Sequence, residues 1–230
     1  MDLLLPRRWC SAVLLALTLL CLAPTPLWAD DHYYLAIFAS DADSYRPTKT
    51  HCFATAIHLC NCRVETCTIS WLPRSGKIRP LLPEPGRNFS LAETMAWSQE
   101  GGMHVAVWGP YEIRKELFDR FVAWKAELDG PDYVYCGPSK FNPVPGTVDC
   151  ANALVMLTRK GQAYHGIFGF GEAASAQIVE ELSPCFLDPC RPHREVLDLL
   201  GIDPRCLVRR DFCYRPTRWQ AMYSMLGTKR

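Results

Sequence analysis

The segment Val148-Asp149-Cys150-Ala151-Asn152-Ala153-Leu154 follows a proline-restrained loop and has the pattern of a helix start. Asp149 is a favourable N-cap residue, because its carboxylate can accept a hydrogen bond from a first-turn N–H group. Cys150 then lies in the first turn, where unpaired N–H groups and the helix dipole favour an anion and lower the pKa of a thiol. The same N–H groups can stabilise an oxyanion. Cys150 is therefore predicted to be a nucleophile.

A nucleophilic cysteine needs a base, and the sequence offers His51 as the best candidate. His51 opens a short strand after a polar loop, in the stretch Thr50–Ala56, whose small residues leave space beside an imidazole. A helix-borne cysteine facing a strand-borne histidine is the arrangement of papain-like sites. His165, beside a glycine-rich turn, is a rival base, and His58 is expected to be structural.

The stretch Tyr135–Leu154 resembles the NlpC-like branch of the papain-fold hydrolases. The pattern of that branch is a tyrosine, a glycine-containing loop, and then Asp-Cys-small-small-apolar at the head of a helix. The small pair here is Ala151-Asn152, where the branch usually has Ser-Gly. In that branch the histidine follows the cysteine, whereas His51 precedes it. This order resembles the circularly permuted members, which include lecithin:retinol acyltransferase-like enzymes and YiiX-like bacterial proteins. The resemblance covers roughly His51–Leu157.

This resemblance implies roles for three residues: Cys150 as the nucleophile, His51 as the base, and Tyr135 as an oxyanion donor or substrate-positioning group. It implies attack on an amide or ester through a thioester intermediate, with cell-wall peptides or acyl lipids as substrates. It implies no cofactor and no metal.

The third member of such a site is a polar group that orients the histidine. Permuted enzymes often carry a second histidine or an acid on the next strand. That strand here, Arg63–Ser70, has no histidine, and Glu65 is its only acid. Glu65 is therefore the predicted orienting group, with Ser70 and Thr68 as weaker candidates.

The cysteines support a competing interpretation. The sequence has 12 cysteines, of which Cys10 and Cys21 lie in the first 29 residues, which leaves ten. In an oxidising compartment most of these are expected to pair, so the fold is predicted to be disulfide-stapled. Natural pairs are Cys185 with Cys190 and Cys206 with Cys213. A bridge from Cys150 to Cys136 would instead indicate a non-catalytic, disulfide-bonded binding module.

The cluster formed by Cys52, Cys60, Cys62 and Cys67 lacks the paired CxxC knuckles of common zinc sites.

The N-terminal segment 1–29 is predicted to be a signal peptide. Arg7 and Arg8 precede an apolar run, Ala12–Leu22, that is shorter than the about 20 residues needed to span a bilayer. Ala29 has the small side chain of a cleavage site. The mature protein is therefore expected to be secreted, or located in the periplasm or cell envelope, without a transmembrane helix.

Residues 30–230 fit a single α+β domain, with a basic, cysteine-containing extension over about 184–230. The net charge of +1 gives no general attraction to nucleic acid. The expected core is papain-like in permuted order, a small antiparallel sheet packed against helices.

Apolar runs predict strands at Tyr33–Ala39, His51–Leu59, Thr66–Leu72 and Met103–Trp108. Caps and periodicity predict helices at Ser90–Gly101, Pro110–Gly130, Cys150–Leu157, Glu172–Leu182 and His193–Leu200. The proline-rich stretch Pro73–Arg87 is predicted to be a surface loop.

Overall fold

Two long strands, β1 (His32–Ala42) and β2 (Thr50–Cys60), pair antiparallel and form the centre of the fold. Both faces of β1 are buried, which explains why its sequence is a nearly continuous apolar run rather than an alternating one. The computed structural model describes residues 31–42, 46–61, 63–139, 144–158 and 169–214. All of these belong to one compact unit that begins at Asp31.

The main sheet has five strands in the order β3-β2-β1-β6-β9. The outer strands are β3 (Arg63–Ile69) on one side, and β6 (Met103–Glu112) followed by β9 (Leu207–Arg210) on the other. The pairing is antiparallel except between β6 and β9, which is parallel. The prediction of a purely antiparallel sheet is therefore wrong at this edge, where the C-terminal region adds a strand.

A second sheet has the order β4-β5-β7-β8. Its strands are short: β4 (Trp71–Pro73), β5 (Glu84–Asn88), β7 (Val134–Tyr135) and β8 (Thr147–Val148). The predicted loop Pro73–Arg87 therefore contains most of a strand. That strand forms because Gly86 lies against the Trp71 indole, in space that a Cβ atom would fill. The Trp71 Nε1–H group donates to the Val148 carbonyl at 3.1 Å and ties the two ends of this sheet together.

The helices of the described residues are α1 (Leu91–Glu100), α2 (Lys115–Leu128), α3 (Cys150–Val155), α4 (Gly171–Leu182) and α5 (Glu195–Asp198). The predicted capping box of α1 is confirmed, since Ser90 and Glu93 exchange both hydrogen bonds. Helix α2 begins later than predicted, because β6 continues through Pro110 to Glu112. Three short 3₁₀ turns complete the secondary structure, at Pro47–Lys49, Ser183–Cys185 and Pro204–Cys206.

The two faces of the main sheet carry different layers. The larger core lies between one face and helices α2, α3 and α4, and it contains Ile37, Trp108 and Phe121. The smaller core on the other face contains Phe38 and residues from α5. The predicted mixed α+β class is therefore confirmed. Among the described helices, none has the length and apolar character to cross a bilayer.

Replacing Phe121 with alanine tests the packing of α2 on the sheet. The Phe121 side chain is fully buried, and such truncations lower the free energy of unfolding by about 3–5 kcal/mol. The neighbouring Val122 is 41 % exposed, so Val122→Ala should change it by less than about 0.5 kcal/mol. Urea unfolding of both variants measures the difference. Equal losses would contradict the assigned buried face of α2.

Candidate active site

The start of α3 is held as the sequence predicts. One carboxylate oxygen of Asp149 accepts the N–H group of Asn152 at 2.8 Å. The other oxygen accepts the N–H and hydroxyl groups of Ser139 at 2.8 and 3.0 Å. Strand β8 ends at Val148, directly before this cap, so Cys150 is the first residue of α3. Because α3 has only six residues, neighbouring groups matter more for the thiol than the helix dipole does.

Cys150 lies at an open edge of β2. Pairing between β2 and β3 begins at Ala54 opposite Ile69, so the residues of β2 before Ala54 have only β1 beside them. At this edge the backbone N–H group of Cys52 hydrogen-bonds the Cys150 sulfur. The first turn of α3 therefore takes the place that a continued β3 would occupy.

The His51 imidazole is fixed beside the same sulfur. Its Nε2 atom is hydrogen-bonded to Ser70 Oγ at 2.8 Å. The ring stacks on Phe53 with a centroid distance of 5.5 Å and meets the edge of Trp97 at 5.7 Å. Nδ1 is buried and has no hydrogen-bond partner among the described residues. Since Nε2 is bonded to Ser70, Nδ1 is the nitrogen available to the Cys150 sulfur, whose pKa the imidazole lowers.

The pKa values of the two cysteines at this edge, Cys150 and Cys52, are shifted in opposite directions. A hydrogen bond from the Cys52 thiol lowers the pKa of Cys150 well below its usual value, and the His51 imidazole lowers it further. These effects outweigh burial, which by itself disfavours a thiolate. The same hydrogen bond, together with complete burial, raises the pKa of Cys52 well above its usual value. Cys150 is thus the thiolate and Cys52 the thiol of this pair.

Ser70 is the group that orients His51. Its hydroxyl accepts a hydrogen bond from Thr94 Oγ1 at 2.7 Å, and its backbone N–H group donates to Asn88 Oδ1 at 3.2 Å. Ser70 is fully buried between β3 and β4. A buried hydroxyl with a fixed backbone and a fixed hydroxyl neighbour restricts the rotation of the imidazole that it contacts.

The prediction that Glu65 orients His51 is corrected by the register of β2 and β3. Glu65 pairs with His58, seven positions along β2 from His51. Its carboxylate contacts His58 Nδ1 at 3.3 Å and is 71 % exposed. Thr68, the other weaker candidate, is bonded to Thr55 at 3.0 Å. Of the three candidates, the structure places only Ser70 on His51.

Tyr135 lies in β7 with 2 % exposure. Burial raises its pKa well above the usual value, and the nearby charge of Cys150 adds to this effect. The hydroxyl therefore keeps its proton and can donate it. The role that the resemblance implies for Tyr135, oxyanion donor or substrate-positioning group, stays a prediction.

The other described histidines bind carboxylates away from Cys150. His58 contacts Asp31 and Glu65, and His193 contacts Glu112 and Glu195. His32 contacts Glu112, and His104 contacts Glu172. His165, the rival base, lies outside the described residues.

No disulfide joins any two of the nine cysteines in the described part of the chain. The predicted pairs Cys185–Cys190 and Cys206–Cys213, and the alternative Cys136–Cys150, are not formed. Cys62 lies outside the described residues. The sulfur next to Cys150 is that of Cys52, which the sequence prediction grouped with Cys60, Cys62 and Cys67. The only sequence signal for Cys52 is its position next to His51 at the start of a strand.

A polar cluster lies beside the site, at the same end of the sheet. Asp41 and His104 are cross-strand partners on β1 and β6, and Glu172 covers them from the first turn of α4. Asp41 Oδ2 accepts the Glu172 N–H group at 2.7 Å, whereas its buried Oδ1 has no hydrogen-bond partner among the described residues. Glu172 also binds Arg210 at 2.9 Å. Arg210, expected in a solvated basic tail, is thus part of the cluster.

Burial raises the pKa of Asp41 to about 7, and the charges of Glu172 and Cys150 contribute to the same shift. The Glu172 N–H group and His104 act in the opposite direction. Asp41 is therefore largely neutral below neutral pH.

A surface groove of about 1290 Å³ lies between β3, α1, α2 and the segment 199–206. None of its lining residues is His51, Cys52, Ser70 or Cys150. The site is therefore separate from this groove, and Cys150 is its partly exposed residue.

Comparisons of this chain with protein-family models, with curated proteins and with solved structures found no match. The functional argument therefore depends on the geometry of the site.

Asp41→Asn should flatten the pH dependence of stability. A carboxyl group whose pKa is raised in the folded state holds a proton that the unfolded chain loses above about pH 4. Stability therefore falls as the pH rises from about 4 through about 7, by on the order of 4 kcal/mol for a shift of this size. Urea unfolding near pH 4 and pH 8 measures the difference. The same difference in wild type and variant would show that Asp41 does not hold this proton.

Proposed function

We propose that this protein is an exported cysteine hydrolase or acyltransferase that attacks an amide or ester through a Cys150–His51 pair. The observation that carries the proposal is the Cys150 sulfur itself. It accepts hydrogen bonds from two groups of Cys52 and from His51, and its pKa is well below the usual value. A thiolate next to an oriented imidazole is the defining pair of thiol acyl-transfer sites.

The protonation states follow from the contacts of the imidazole. When Cys150 is a thiolate and His51 an imidazolium, both ring nitrogens are donors. Nε2–H then donates to Ser70 Oγ, and Nδ1–H donates to the sulfur. Ser70 stabilises the charged ring in the one orientation that keeps Nδ1 toward Cys150.

The reaction would proceed in two acyl-transfer steps. The Cys150 thiolate attacks the carbonyl carbon, and the carbonyl oxygen becomes an oxyanion. The N–H group of Cys150 and the Tyr135 hydroxyl are donors available to it. His51 then gives its Nδ1 proton to the departing amine or alcohol, which leaves a thioester. In the second step His51 takes a proton from water, or from an acceptor hydroxyl or amine, as that group attacks the thioester. The C–S bond then breaks, which releases the acyl product and restores the Cys150 thiolate beside protonated His51.

The order of the elements supports membership of the circularly permuted NlpC-like papain-fold group. The strand with the histidine precedes the helix with the cysteine, and the two meet at one sheet edge. Cell-wall peptides and acyl lipids are the proposed substrate classes, on the basis of that resemblance. The site departs from the group's pattern in its third member, which is Ser70 rather than a histidine or an acid.

The proposed place of action is outside the cytoplasm, either secreted or in the periplasm or cell envelope. This rests on the signal-peptide pattern of residues 1–29, which lie outside the described residues. The alternative, a disulfide-bonded binding module on the same fold, requires Cys150 in a bridge. The hydrogen-bonded sulfur of Cys150 favours the enzyme.

Alkylation of the reduced protein tests the low pKa of Cys150. Iodoacetamide should modify Cys150 rapidly from about pH 8 down to about pH 5–6, because the thiolate persists well below the pH at which an ordinary thiol is protonated. In His51→Ala the rate should fall at the acidic end of this range, since one stabilising donor is lost. Peptide mass spectrometry of a pH series gives the rate for each cysteine.

Cys67 is the internal control in the same digests, because burial raises the pKa of its thiol. Its alkylation should decline steeply as the pH falls, in wild type and variant alike. A Cys150 rate that follows the Cys67 rate at every pH would overturn the proposed thiolate.

Ser70→Ala tests the orienting role with a catalytic readout. Loss of the Ser70 hydroxyl frees the imidazole, and misplacement of a catalytic group by about 1 Å can cost about 100-fold in rate. We expect kcat for p-nitrophenyl acetate to fall by roughly 10- to 100-fold, with little change in KM. Glu65→Gln, in the strand that leads to Ser70, is the matched control and should behave as wild type. A larger loss of kcat in Glu65→Gln than in Ser70→Ala would indicate that Glu65, not Ser70, orients His51.

A further inference from the structure

The Cys52 thiol is a second chemical group at the proposed nucleophile. Its sulfur lies beside the Cys150 sulfur, and its S–H group can donate to the Gly171 carbonyl at 3.4 Å as well as toward Cys150. Cys52 is 2 % exposed, whereas Cys150 is partly exposed. Of the two residues, Cys150 is therefore the one at which the chain is open to solvent.

We propose that Cys52 and Cys150 are a redox pair, in which a hydroperoxide oxidises Cys150 and Cys52 then converts it into an intramolecular disulfide. The proposal names a modification of the proposed active site. It requires only the Cys150 thiolate, so it can hold even where the acyl-transfer reaction fails.

The oxidation has two balanced steps. The Cys150 thiolate attacks one oxygen of the hydroperoxide, the O–O bond breaks, and the departing alkoxide or hydroxide takes a proton from the His51 imidazolium. Cys150 is then a sulfenic acid and the peroxide is reduced to an alcohol or water. The Cys52 sulfur next attacks the Cys150 sulfur, and the S–O bond breaks. The hydroxyl leaves as water with the Cys52 proton.

The contacts assign the two roles in this order. Cys150 carries the thiolate, the form that reacts with peroxides, and it is the more exposed residue of the two. Cys52 remains a thiol until the sulfenic acid forms, because burial and the hydrogen bond to Cys150 raise its pKa. The sulfenic acid therefore arises next to a thiol that is already in contact with it.

The backbone on both sides of the pair is fixed. Cys52 is paired with Ala39 of the central strand β1. The first turn of α3 is held through the contacts of Asp149 with Ser139 and Asn152. The bridge would thus join two rigid elements whose sulfurs already touch. It would also remove the nucleophile until an external thiol reduces it, so the proposed acyl-transfer activity would depend on the redox state.

Peptide mapping of the wild-type protein tests the pair directly. The protein is reduced with dithiothreitol, separated from it, treated with one equivalent of hydrogen peroxide, and then unfolded in guanidinium chloride that contains iodoacetamide, so that buried thiols are also blocked. We expect a linked peptide that contains Cys52 and Cys150, loss of two alkylatable thiols, and recovery of both with dithiothreitol. A sulfinic acid on Cys150 with Cys52 still alkylatable would overturn the proposal, as would a bridge from Cys150 to another cysteine.

Two variants sharpen the result. In Cys52→Ser the sulfenic acid on Cys150 has no adjacent thiol, so dimedone should trap it and no linked peptide should form. Cys67→Ser is the control, because it also removes a strand cysteine, one that is partly buried, but leaves the pair intact. It should form the bridge as wild type does. Dimedone labelling of wild type at the same level as Cys52→Ser would count against Cys52.

A parallel ester assay separates this proposal from the acyl-transfer reaction. A bridge without p-nitrophenyl acetate turnover by the reduced protein would support the redox pair and remove the proposed function. Turnover without a bridge would overturn the redox pair alone.

Discussion

The end of β3 at Ile69 is the constraint on which the site depends. The residues of β2 before Ala54 extend past this end and pair with β1 only. The backbone N–H group of Cys52 is then directed to the Cys150 sulfur rather than to a strand. The chain leaves β3 through Ser70, whose hydroxyl meets the imidazole of His51. One strand end therefore positions both the proposed nucleophile, Cys150, and the group that orients the proposed base, His51.

The open edge of β2 also explains how two consecutive residues, His51 and Cys52, can both contact the Cys150 sulfur. Successive side chains of a strand point to opposite faces, so His51 and Cys52 should not share a partner in the middle of a sheet. At an open edge, a sulfur beside the strand can contact both. Burying a thiolate is unfavourable unless hydrogen bonds replace the lost water. Two donors from Cys52 and one from His51 provide that replacement, which is why the pKa of Cys150 falls despite burial.

The sequence predicted the parts of this protein that local patterns determine. The central strands, the capping box at Ser90 and the N-cap at Asp149 were all visible as short-range signals. The contacts between residues of different strands could not be predicted in this way, because they depend on where each strand ends and on the register in which it pairs. Glu65 was predicted to orient the base for its charge, but the register places it opposite His58. Strand β9 was missed because four residues in a basic segment give little signal without their neighbour β6.

The polar cluster next to the site, formed by Asp41, His104, Glu172 and Arg210, also affects the stability of a thiolate at Cys150. Unneutralised negative charge on Asp41 and Glu172 would oppose a thiolate at Cys150, and the charge of Cys150 in turn raises the pKa of Asp41. Arg210 and His104 offset the charge of Glu172. Burial keeps Asp41 largely protonated up to a pH of about 7. The Asp41 carboxyl also accepts the Glu172 N–H group, next to the Gly171 carbonyl that contacts Cys52. The C-terminal strand thus contributes, through Arg210, to an environment in which Cys150 can carry the negative charge.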